Sequence, residues 1–296
     1  MQINPILIKE MKIRARIVRI PIFVMVYNVV LAFVGIFMLI FSTDMFGIYG
    51  YINYQSMNDL FPGVVIIQCT VTILVTLIVA AGGISGEREK GTLDMLFMTP
   101  VSTLELVNGK LFSAVLTGCL FTFSGLPILA LGTIYGGTDL WDVVFLQVMN
   151  IVLSFFTGGI GLLCSSVSKK TSVSVAFALT LEIAFVVAPV VILNCVDAFT
   201  NGSYQYGSAS TAMIVLAIIL YVFNPVSPMM KFYDRIVGTN ILMETFEYRY
   251  GIGKESIFYQ FLDQYFVDAC IVIQLCMAVL CVFIISKVLK RGRNLN

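Results

Sequence analysis

The sequence contains no histidine. That absence removes the commonest general base near neutral pH and the commonest metal ligand. Charge is scarce too: 12% of the 296 residues are Asp, Glu, Lys or Arg, against about 25% in a soluble domain. Hydrophobic residues make up 59%, so the chain reads as an integral membrane protein before any segment is considered. One tryptophan and a net charge of +1 give no basis for nucleic-acid binding. The seven cysteines include no CxxC pair, so neither a zinc site nor a thioredoxin motif is written here. The thiols read as small apolar residues of helix faces. No GxxxxGK[ST] phosphate loop occurs, and an ATP site of that kind is not expected on this chain.

What the sequence does contain is long apolar runs. Six spans are predicted, at about 21–41, 60–82, 107–135, 143–167, 172–196 and 264–286, since about 20 apolar residues suffice to cross a bilayer as a helix. Pro127 predicts a kink in the third. Gly158, Gly159 and Gly161 predict close packing in the fourth, and Trp141 suits an interfacial anchor just before it. Residues 1–19 read as an amphipathic interface helix, capped by Asn4 with Pro5 at its first position. Lys9, Lys12, Arg16 and Arg19 fall on a different face from Ile6, Ile13, Ile17 and Ile20. The run 212–223 is short for a span and is broken by Asn224-Pro225 and Pro228. Residues 197–262 are therefore expected to form an outer region with re-entrant or interfacial helices, packed on protein.

Charge placement sets the expected topology. Of the 18 Lys and Arg, five lie in 1–19, three in 83–110, two at Lys169-Lys170 and four in the tail at Lys287, Lys290, Arg291 and Arg293. The two early loops between spans carry none. This is the positive-inside pattern, with six spans and both termini in the cytoplasm.

The polar stretch 83–110 interrupts the apolar runs. Ser85 is expected to cap a helix, with Glu87 and Glu89 near its positive end. Thr99-Pro100 ends that helix. A second begins with a capping box at Ser102 and Glu105, stapled by Val101 and Leu106. Residues 84–100 then form a surface element able to pass force from a bound partner to the second and third spans. Elsewhere, Glu182 is the carboxylate placed well inside a predicted span. Such a group is costly there and marks either a substrate or ion path or a hydrogen bond between helices, with Thr180 as one candidate partner.

Gly86-Glu87-Arg88-Glu89-Lys90-Gly91-Thr92-Leu93-Asp94, followed by Thr99-Pro100-Val101-Ser102 and Gly109-Lys110, resembles the signature of ABC-2 type exporter permeases. Asn4-Pro5 with Lys9-Glu10, and Asn224-Pro225, extend the resemblance over the chain. It implies an all-α, six-span transmembrane subunit over 1–296. The subunit would have an amphipathic N-terminal helix, a cytoplasmic coupling helix between spans two and three, and outer re-entrant helices before span six. It also implies a second permease subunit, surrounding lipid, and cytoplasmic ATPase subunits that carry ATP and magnesium. The setting implied is a bacterial cell membrane. ATPase contact is carried over onto Glu87, Arg88, Glu89, Lys90, Thr92, Leu93, Asp94 and Leu96, with no catalytic residue and no metal site. Asp94 stands where Glu is commoner, and Phe97-Met98 where leucines are common. Two other functions fit the residues alone: an ion-coupled carrier using Glu182, and a membrane scaffold or sensor recruiting a cytoplasmic partner.

Overall fold

Lipid offers no hydrogen bonds, so an apolar run that enters it must satisfy its backbone within itself, and the helix does so locally. The structure, a computed structural model, describes residues 5–16, 19–42, 60–93, 95, 98, 102–135, 139–199, 211–240, 243–244, 247 and 257–293. Among them the regular elements are helices: α1 (Pro5–Arg16), α2 (Arg19–Ser42), α3 (Leu60–Glu89), α4 (Thr103–Ser124), α5 (Leu126–Tyr135), α6 (Leu140–Val167), α7 (Thr171–Phe199), α8 (Thr211–Phe223), α9 (Ser227–Val237) and α10 (Ile257–Arg293). Six of them, α2, α3, α4, α6, α7 and α10, are long and apolar enough to cross a membrane. Each predicted span is present, and the third and fourth differ in detail from the expectation.

The third span is two helices rather than one kinked helix. The break is at Gly125, whose N–H bonds to the Phe121 carbonyl at 3.3 Å. Pro127 sits in the first turn of α5, where a missing N–H removes no ladder bond. The fourth span starts earlier than predicted because Asp139 and Asp142 form a capping box. Trp141 stands in that first turn, 76% exposed.

The chain divides into two compact units, Met1–Leu179 with Met277–Asn296, and Thr180–Cys276. In the first, α3, α4 and α6 pack closely around small residues. A Cβ at Gly161 would stand 2.8 Å from the Ala80 Cβ and 2.9 Å from the Leu77 carbonyl oxygen, so only glycine allows α6 this near to α3. Ile6, Ile84, Leu93, Leu106, Leu111 and Ile285 belong to one buried apolar cluster at the Lys110 end of this unit.

In the second unit, α8 and α9 meet at a 90° bend at the Asn224-Pro225 break, the form of a re-entrant loop or a broken span. Asn224 holds the break. Its side-chain Nδ2 donates to the Val186 carbonyl of α7 at 3.2 Å, and its Oδ1 accepts from the Val226 N–H at 2.9 Å. Lys231 on α9 pairs with Asp263 on α10. Buried Leu193, Ala217, Val222, Met243, Phe266 and Cys270 form the core of this unit.

Candidate functional site

The segment after α3 is built differently from the expectation at its start. Ser85 is not a cap. It lies inside α3, fully buried, and its hydroxyl donates to the Ala81 carbonyl at 2.7 Å, the back-bond that serine makes in helix interiors. The helix therefore continues to Glu89 and ends at Gly91, which has φ +68°. Thr92 N–H reaches the Glu87 carbonyl at 2.9 Å and Gly91 N–H reaches the Arg88 carbonyl at 3.1 Å. This pair of bonds is the Schellman end, which wants glycine at the left-handed position. Glu87 and Glu89 consequently sit at the negative end of α3, not at the positive end of a new helix. The capping box that starts α4 is present: Ser102 Oγ accepts from the Glu105 N–H at 3.2 Å, and the Glu105 carboxylate accepts from the Ser102 N–H at 2.9 Å. Val101, Thr99-Pro100 and Phe97 lie outside the described residues, as do Asp94 and Leu96.

The three charges in the last turn of α3 each hold another helix. The Glu87 carboxylate accepts from Thr92 Oγ1 and, at 3.1 Å, from Lys110 Nζ of α4. Lys110, 6% exposed, also pairs with Glu10 of α1 at 2.8 Å. One buried ammonium thus ties α1, α3 and α4 and balances two carboxylates. Arg88 donates to the carbonyls of Ser168 and Ser166 at 2.8 and 3.0 Å, satisfying acceptors that the end of α6 leaves without helical partners. The Glu89 carboxylate accepts from the N–H of Thr171, at 3.0 Å, and from its hydroxyl. A carboxylate is favoured at that place, the positive end of α7. Behind this layer Ser165 Oγ accepts from the N–H groups of Ile84 and Ser85 at 2.9 and 2.8 Å, and Ser174 Oγ donates to the Ala81 carbonyl at 2.8 Å.

Of the eight residues predicted to meet an ATPase, Glu87, Arg88, Glu89 and Thr92 are thus engaged within the chain, and Leu93 is 9% exposed within the apolar cluster. Lys90 is exposed. Met95 and Met98, which are not among those eight, are 74% and 87% exposed. A signal for the true end of α3 was available: Gly91 directly follows the charged turn, the usual place of a left-handed cap.

Glu182 has the opposite environment. It is 4% exposed on α7, and neither carboxylate oxygen has a hydrogen-bond partner among the described residues. The suggested bond to Thr180 is not formed. Ser174, Ala178, Pro189 and Leu193 are buried on the same stripe of α7, so Glu182 faces protein and not lipid. An apolar cleft of about 410 Å³ lies in the same unit, lined by Leu181, Phe185, Ala188, Pro189, Leu220 and Phe223 among others. Among the described residues no group of His, Cys, Asp or Glu could hold a metal ion.

Six helices able to span the bilayer define a multi-pass membrane protein. The chain belongs to the ABC-2 family of transporter proteins, whose family model matches residues 6–289. It is accordingly a permease-type membrane component of an ABC transporter, in a family that generally pairs with ABC ATPases. No curated protein matches the chain.

Proposed function

We propose that this chain is the membrane subunit of an ATP-driven exporter, acting as a dimer with a second permease subunit and driven by separate cytoplasmic ATPase subunits. The stretch 84–100 is the coupling element, on the same side as both termini, as the 14 Lys and Arg gathered there suggest. The observation that carries this reading is the fixing of one turn to four neighbouring helices. Glu87, Arg88 and Glu89 link the end of α3 to α4 and α1, to the end of α6 and to the start of α7. A push on this segment reaches four spans at once, not only the two that flank it. In this reading the ATPase meets Lys90 together with the exposed Met95 and Met98, while Glu87, Arg88 and Glu89 pass the load inward. Asp94 and Leu96 belong to the same contact.

The test is co-purification with the ATPase and the ATP hydrolysis it stimulates. Met98→Asp should abolish co-purification without lowering the melting temperature of the permease, because Met98 is 87% exposed. Full retention of the ATPase by this variant would overturn the docking face.

Glu182 is proposed as a translocation-path residue. Its burial without a partner also supports a second reading, a proton- or cation-coupled carrier. Flux in vesicles without ATP, abolished by Glu182→Gln, would favour the carrier. Flux that needs ATP and the ATPase would favour the exporter.

A further inference from the structure

The first unit carries a second set of buried polar groups, away from the coupling turn. Gln68, Thr72 and Thr76 follow one face of α3; Ser113, Thr117 and Thr122 lie on α4; Gln147, Asn150, Ser154 and Thr157 lie on α6. All ten are buried. Several hydroxyls are satisfied by their own helix, as Thr72 is by the Gln68 carbonyl at 2.7 Å and Ser154 by the Asn150 carbonyl at 2.8 Å. One bond crosses between helices, from Gln68 Nε2 to the Thr122 carbonyl at 3.0 Å. The rest are orphaned. Gln68 Oε1, Thr76 Oγ1, Ser113 Oγ and both ends of the Gln147 and Asn150 amides have no hydrogen-bond partner among the described residues. Turning either amide over does not help, since both of its ends are unmatched.

These groups share one seam. A Cβ on Gly118 of α4 would meet Thr76 Oγ1 of α3 at 2.3 Å and Ser154 Oγ of α6 at 3.0 Å, so the three helices converge there. Ser165 bonds to Ile84, and Gly161 faces Ala80; both pairs are 81 residues apart (165 − 84 and 161 − 80). The same offset sets Asn150 level with Cys69, beside Gln68, and Gln147 level with Ile66. A Cβ on Gly83 would meet the Lys110 side chain at 3.5 Å. The polar groups thus run from about the level of residue 66 to that of residue 83 on α3, a length of about 25 Å.

We propose that α3, α4 and α6 enclose a water-binding seam that leads from the Gln147–Asn150–Gln68 amides to the Lys110 ion pairs. A buried polar group left unmade costs about 1–3 kcal/mol, and seven such atoms in one three-helix contact call for a ligand. The ligand must both donate and accept, because amide N–H groups and carbonyl oxygens are orphaned side by side. It carries no net charge, because no ionised group among these residues would offset the desolvation of an ion. It is small, because the glycine contacts leave little room. Water meets all three conditions, and buried water typically makes about three hydrogen bonds to such groups. A second copy of the chain cannot supply the partners, since Gln68, Thr76, Ser113 and Asn150 are fully buried inside one unit.

Hydroxyl-radical footprinting of the full-length protein in lipid nanodiscs, with 18O-labelled water, tests this. Radicals formed from bound water label buried side chains that bulk water does not reach. Cys69 and Cys281 make a matched pair, each 7% exposed. Cys69 follows Gln68 on α3, next to the start of the seam, and Cys281 lies in the apolar cluster. Cys69, and Met149 between the two orphaned amides of α6, should take label several-fold faster than Cys281. The double variant Gln147→Met, Asn150→Leu should lower the Met149 rate toward that of Cys281. Equal labelling of Cys69, Met149 and Cys281 in the unmodified chain would overturn the proposal. So would unchanged labelling of Met149 in a folded double variant. The first comparison uses the native sequence, so it stands even if the variant fails to fold.

Discussion

The end of α3 and the middle of α7 handle charge in opposite ways. At Glu87, Arg88 and Glu89 every charge meets a partner, and each partner belongs to a different helix. At Glu182 a carboxylate is more deeply buried than any of these three and meets none. Charges at helix ends can be matched by the backbone groups that the ends leave open. A charge in the middle of a helix has no such groups within reach. The first arrangement is a joint, made by the same physics that caps helices. The second costs stability, and residues that cost stability inside a span are the ones to test for transport.

Three substitutions separate these roles, taken from the largest effect to the smallest. Gly161→Val forces a side chain against the Leu77 carbonyl, which cannot move as a side-chain tip can. A loss of about 3 kcal/mol is expected, seen as a lower melting temperature or as loss of monodisperse protein in detergent. Lys110→Met removes the cation between Glu10 and Glu87. Two partly buried carboxylates then face each other, and a loss of about 2 kcal/mol is expected. A melting temperature unchanged from the native chain would show that Lys110 is no joint. Glu182→Leu should do the reverse. With no hydrogen bond to lose, it should leave the melting temperature unchanged or raise it, while lowering flux. A marked drop in melting temperature would mean that Glu182 is a structural residue after all, and the contrast with α3 would fail.

Much of the fold was legible because spans are long and caps are local. The apolar runs placed all six spanning helices, Ser102 and Glu105 marked the start of α4, and Asn224-Pro225 marked the bend between α8 and α9. Local reading failed where a residue type has two uses. Serine caps helices and also bonds back inside them. The tertiary partner Ser165, 80 residues away, decided for the second. Asp139 and Asp142 form a capping box that the expected span start at about 143 leaves out. The partners of Arg88 and Glu89 could not have been read at all. They include backbone groups of a turn some 80 positions away, and no side-chain pattern announces a backbone partner. The same holds for the orphaned state of Glu182, since burial without a partner is a property of packing.

The central claim is that the coupling segment and the turn between α6 and α7 move as one piece. It is tested by spin labels at Leu104→Cys, in the first turn of α4 directly after the coupling segment, and at Lys170→Cys, both exposed positions, in a background with the exposed Cys195 and Cys276 replaced. The distance between the labels is measured with the ATPase bound, before ATP and after ATP is trapped. The account predicts one narrow distribution that does not shift between the two states, and a broader one that does shift once Arg88→Met and Glu89→Gln are introduced. A native distance that changes on ATP trapping as much as it does in that variant would contradict it.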